Sequence, residues 1–146
     1  MKSNIILYGN LVAELKKNNV PVWKGQWKNS VLSAYLEQLA ALIYNDGNTK
    51  YLVPTKIKLF DAAETELFYD VFSSSNISGS TITIVNYFSE TQANPGDGEI
   101  ELIEYWCTGD NPVPIQQFSS VACSIPKTSD MTLTIQYKIQ PTATGG

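Results

Sequence analysis

Thr132-Leu133-Thr134-Ile135-Gln136-Tyr137-Lys138-Ile139 has a period of two. With Met131 added, Leu133, Ile135, Tyr137 and Ile139 fall on one side, and Thr132, Thr134, Gln136 and Lys138 on the other. This is the pattern of a β-strand with one face in a core and one in water. Such a strand needs a second layer to cover its apolar face, and the 146-residue chain supplies more segments of the same kind. Lys56-Ile57-Lys58-Leu59-Phe60, Thr81 to Phe88 and Glu99-Ile100-Glu101-Leu102 all alternate, and Phe118 to Ile125 places Val121, Cys123 and Ile125 on one face. Leu67 to Phe72 is a further apolar run, readable as a strand or a helical turn. The alternation breaks at Ile103-Glu104, since Glu104 would share a face with Ile100, Leu102 and Trp106. A bulge or an exposed second face resolves that conflict. The links are short and rich in Ser, Asn, Pro and Gly, which favours antiparallel pairing over a parallel sheet with crossover helices.

Towards the N-terminus the period lengthens. Val31, Leu32, Tyr35, Leu36, Leu39, Ala40, Leu42 and Ile43 recur at helical spacing behind a capping Asn29 or Ser30, and Asn45-Asp46-Gly47-Asn48 stops the pattern. The expectation is one helix over about Ser30-Asn45, packed on a sheet through a wide apolar stripe. Before it, Met1 to Lys28 reads as an arm, with the apolar run Ile5-Ile6-Leu7-Tyr8, interruptions at Asn18-Asn19 and Pro21, and Trp23 and Trp27 around Gly25. In a strand both tryptophans project from one face, either over an edge of the core or towards a neighbouring subunit. The expected organisation is an arm (1–28), a single mainly-β (α+β) domain (29–140) and a flexible tail (141–146). The domain is an antiparallel β-sandwich or jelly-roll-like sheet with one packed helix.

Composition narrows function. The chain has no histidine and no arginine, only ten lysines against fourteen acids. Histidine-dependent triads and nitrogen-ligated zinc sites are excluded, and phosphate recognition lacks its bidentate fork. The net charge of −4 disfavours a nucleic-acid partner, whose binding scales with the cations presented. No run approaches the roughly 20 apolar residues of a membrane span, and the start is too short for a signal-peptide core, so a soluble product made in the cytoplasm is expected. Cys107 and Cys123 then read as structural thiols, with a disulfide formed later as the alternative.

Three chemistries compete with a plainly structural reading. Glu99, Glu101 and Glu104 offer paired carboxylates for a small glycosidase, but glutamate alternating with Ile and Leu is also how an exposed strand is written. Asn45-Asp46-Gly47-Asn48 and Asn94-Pro95-Gly96-Asp97-Gly98-Glu99 carry oxygen ligands for calcium without the acidic ladder of an EF-hand, and read as turns. Trp23, Trp27, Trp106 and the tyrosines offer flat faces for sugars, the basis of a glycan-binding alternative. No cofactor is implied.

The helix segment from Lys28-Asn29-Ser30-Val31-Leu32 to Leu39-Ala40-Ala41-Leu42-Ile43, followed by Ile57-Lys58-Leu59-Phe60, resembles the early part of small tailed-bacteriophage virion structural proteins. Gly98 to Tyr105, Phe118-Ser119-Ser120-Val121, Ile125-Pro126-Lys127-Thr128 and Thr132 to Ile139 are similar to their later strands. The resemblance spans Lys28 to Gln140. It departs at Ile103-Glu104, where related sequences carry a glycine-leucine step, and it leaves out Met1 to Trp27. It implies a non-enzymatic structural protein of the virion, foremost a capsid decoration (cement) subunit and alternatively a tail, baseplate or fibre component. The implied partners are copies of itself, in a homotrimer by the family pattern, and the major capsid protein or other virion proteins. Ile5, Ile6, Leu7, Tyr8, Trp23 and Trp27 are the expected oligomer or lattice contacts.

Overall fold

The computed structural model describes residues 3–30, 54–71, 74–108 and 114–145. They form β1 (Ser3–Lys17), β2 (Val20–Ser30), β3 (Pro54–Asp61), β4 (Glu66–Val71), β5 (Ser74–Ser78), β6 (Thr81–Phe88), β7 (Ile100–Thr108), β8 (Pro114–Ile125) and β9 (Thr132–Gly145). All pairings are antiparallel, in a five-stranded sheet ordered β2-β1-β9-β6-β5 and a four-stranded sheet ordered β4-β3-β7-β8. Successive hairpins, β1-β2, β3-β4, β5-β6 and β7-β8, alternate between the sheets, and β9 returns to lie between β1 and β6. The chain is therefore mainly β and sandwich-like, as the alternation implies. Among the described residues there is no helix. The helix expected over about Ser30-Asn45 lies outside them beyond Ser30, and Asn29 and Ser30, expected as its cap, belong to β2.

The sheets meet through the inward side chains. On β9, Leu133, Ile135, Tyr137 and Ile139 are buried, as their spacing requires. Tyr137 stacks on Tyr105 of β7 with ring centroids 4.4 Å apart and planes 10° from parallel. Phe68 of β4 meets Phe88 of β6 edge-on at 5.0 Å, the edge-to-face geometry that ring quadrupoles favour. Ile57, Leu59, Ile84, Ile100, Ile103, Phe118, Val121 and Ile125 complete one continuous core.

Residues 3–28, read in the sequence as most of an arm, are strands of the five-stranded sheet. β1 pairs along nearly its whole length with β9 and from Tyr8 to Lys17 with β2, and Leu11, Ala13 and Leu15 are fully buried. Asn18 and Asn19 are the two-residue loop of the hairpin, with φ of 52° and 63°. Positive φ at both positions is what a type I′ turn needs to match the strand twist, and asparagine tolerates it better than most residues. Pro21 is accommodated because β2 is an edge strand, where a missing N–H breaks no ladder, and the register shifts beside it. The tail is paired too, since residues 141–145 extend β9 against residues 3–7 of β1. Its small side chains read as fraying, but backbone hydrogen bonding is indifferent to side-chain size.

The break in β7 sits earlier than the sequence places it. Against β3, Ile100 pairs with Asp61 and Leu102 with Phe60, so Glu101 is the extra, exposed residue of a bulge. After it Ile103, Tyr105 and Cys107 face inward, and Leu102, Glu104 and Trp106 share the outer face.

Candidate contact surface and polar cleft

The expected contact residues separate into three situations. Ile5, Ile6 and Leu7 are strand residues opposite Ala143, Thr142 and Pro141. Tyr8 is 44% exposed on the outer face of the five-stranded sheet. Trp23 and Trp27 do project from one side of β2, opposite Leu15 and Leu11, and lie half-buried against the rim of the core. Their rings are 6.0 Å apart and tilted by 32°. Gly25 lies between them because a Cβ there would come within 2.5 Å of both indoles. Val20 and Val22 leave 59% and 49% of their surface open on the same strand. Pro21, Lys24 and Lys28 make this edge a poor template for adding another strand, so any contact here is made by side chains.

Asn29 closes the opposite end of β2. Tyr137 Oη donates to Asn29 Oδ1 at 2.9 Å, and Asn29 Nδ2 donates to the Ser120 carbonyl of β8 at 3.1 Å. This chain of bonds ties the sheets together. It exists because Gly9, opposite Asn29, has no side chain to displace the Tyr137 ring.

On the outer face of the same sheet, Lys28, Asn10 and Lys138 are register partners in one row across β2, β1 and β9, and Tyr8 and Gln140 pair in the next row. A short asparagine between two long lysines leaves a trough. Tyr8, Gly9, Asn10, Lys28, Lys138 and Gln140 line a half-open cleft of about 400 Å³. Gln26 Nε2 donates to Asn10 Oδ1 at 2.9 Å and fixes the carboxamide. The cleft is not legible in the sequence, because Tyr8, Asn10 and Lys28 lie far along the chain from Lys138 and Gln140 and become their neighbours only when β9 inserts beside β1.

The other candidates disperse. Ser124 Oγ donates to Glu99 Oε2, Glu101 is bulged, and Glu104 accepts from Trp106 Nε1 at 3.1 Å and Gln117 Nε2 at 3.3 Å. Trp106 is no open platform, since Lys58 Nζ stands 4.6 Å from its ring centroid. In the 94–99 loop, Asn94 Oδ1 accepts from Lys127 Nζ at 2.6 Å, so a buried ammonium of the chain itself occupies that oxygen. The 45–48 loop lies outside the described residues. No group of three metal-ligating side chains comes together among the described residues.

Cys107 and Cys123 are free. Cys107 lies opposite Gln116 and Cys123 next to Ala122, the partner of Leu102. That puts roughly 15–20 Å of strand between them, far beyond the reach of a disulfide. Burial pushes both thiols up to about 12, helped for Cys123 by Glu101 and Glu99, so neither is a thiolate near neutral pH.

No family model matches this chain, and no curated protein or solved structure does.

Proposed function

We propose that the chain is a non-enzymatic structural protein of a tailed-phage virion, acting as a capsid decoration subunit whose output is surface contact. The observation that carries this reading is the rim of β2. There an edge strand carries two half-buried indoles on one side and, close to its turn, the open side chains of Val20 and Val22. Large amphipathic rings held in place by a rigid sheet give contact area at low entropic cost, and repeated copies turn modest contacts into strong attachment. The partners proposed are other copies of the chain and a shell protein, and the place of action is the virion.

The test uses full-length protein and phage particles stripped of accessory proteins. Wild type is expected to co-sediment with heads, and the Trp23→Ser/Trp27→Ser variant to lose about tenfold or more in apparent affinity while keeping its fold by circular dichroism. Co-sedimentation with isolated tails and not heads would move the assignment to a tail or fibre component. A double variant that binds as well as wild type, or a wild type that binds neither, removes the proposal.

A further inference from the structure

We propose that the cleft between Lys28 and Lys138 binds an anionic saccharide, a sugar ring carrying a carboxylate. The chain holds more acids than lysines, yet among the described residues no carboxylate lines this cleft. Lys16 and Lys17 are neutralised by Glu14 and Asp130 on the rim of the same sheet, whereas Lys28 and Lys138 have no ion-pair partner among the described residues. Two uncompensated ammoniums in one row, about 10 Å apart at the backbone, make a local positive site on an acidic protein.

The other lining groups favour a sugar over a bare anion. Tyr8 offers a ring that is 44% exposed, the kind of flat apolar face on which a sugar's C–H surface rests. Asn10 keeps its Nδ2 hydrogens after accepting from Gln26, and Gln140 supplies a second carboxamide, so donors and acceptors for hydroxyls flank the charges. A cleft of about 400 Å³ lies in the range of small-ligand sites and holds one or two sugar rings. It is built on three paired strands, so its geometry is preorganised.

This site is separate from the Trp23/Trp27 rim and does not depend on the contact role proposed for it. Full-length protein labelled with 15N is titrated with trigalacturonate, sialyllactose, neutral cellotriose and inorganic phosphate. At least one acidic sugar is expected to shift the amides of Tyr8, Asn10, Lys28, Lys138 and Gln140, with cellotriose and phosphate at least about fivefold weaker. Lys28→Gln/Lys138→Gln is expected to weaken that binding roughly tenfold, each exposed charge contributing about two- to fivefold. Both positions face solvent, so the variant folds. Tyr8→Ala is expected to weaken the sugar and leave any residual phosphate binding unchanged. Equal binding of cellotriose or phosphate overturns the proposal, as does binding that survives the double variant or the absence of shifts with both acidic sugars.

Discussion

Gly9 and Gly25 are both strand glycines that make room for aromatic rings on the inner side of the five-stranded sheet, yet their surroundings differ. Gly9 faces Tyr137, which is fully buried, stacked on Tyr105 and hydrogen-bonded to Asn29. Gly25 faces the tips of Trp23 and Trp27, whose rings are half-buried at an open rim. One glycine serves a locked core and the other a surface that retains freedom. An aromatic held on all sides specifies the fold, while one held on one side remains available to a neighbour.

Gly9→Ala is expected to produce the largest loss, about 3 kcal/mol, because the added methyl overlaps a ring that has nowhere to move. Urea unfolding measures it as a lower midpoint at unchanged slope. A loss no larger than that of Gly25→Ala would mean the Tyr137 ring is not locked. Tyr137→Phe keeps the stack and removes the hydroxyl, leaving Asn29 Oδ1 without that donor, and should lower stability by about 1–2 kcal/mol in the same assay.

Gly25→Ala should change stability by less than about 1 kcal/mol, since the indole tips can swing towards water and alanine limits the unfolded chain. A red shift in tryptophan emission would report the swing, and an unshifted spectrum with a large stability loss would show the rim to be as closed as the core.

The smallest effect belongs to the exposed pair Lys17 and Asp130, which joins the β1-β2 turn to the end of the β8-β9 connection at 2.8 Å. The Lys17 ammonium and then the Thr128 hydroxyl hold the Asp130 carboxyl at about 2, below its ordinary 3.8. A depressed carboxylate adds stability that is whole above pH 3.8 and disappears as the pH falls towards 2. Asp130→Asn should therefore lower stability slightly above pH 3.8 and leave it unchanged near pH 2, which flattens a shallow part of the acid limb in thermal melts. An unaltered acid limb would show that the pair adds nothing.

The fold was unevenly legible. Leu133, Ile135, Tyr137 and Ile139 declare their burial because strict alternation has one structural meaning. β1 carries the same signal in Gly9-Asn10-Leu11-Val12-Ala13-Glu14-Leu15-Lys16, but small Gly and Ala on the inner face and Val12 on the outer face blur it. Asn18-Asn19 then looks like an interruption when it is the turn that pairs two strands. The bulge at Glu101 is hidden for a related reason: a bulge is chosen by what lies across the strand, here Asp61 and Phe60, and not by the bulged residue alone. The shared face of Trp23 and Trp27 was legible from spacing, whereas the half-buried state of their rings was not.

By itself the sequence determined a mainly β chain of antiparallel strands, an inward face for β9, and a set of side chains without histidine or arginine. Periodicity and composition are local, and they survive whatever partner a strand finds. Only the tertiary structure decided that the N-terminal hairpin is part of the sandwich, that Gly9 yields its space to Tyr137, and that Lys28, Asn10 and Lys138 stand in one row. Those outcomes depend on β9 inserting between β1 and β6, a long-range pairing fixed by the fit of two apolar faces against each other.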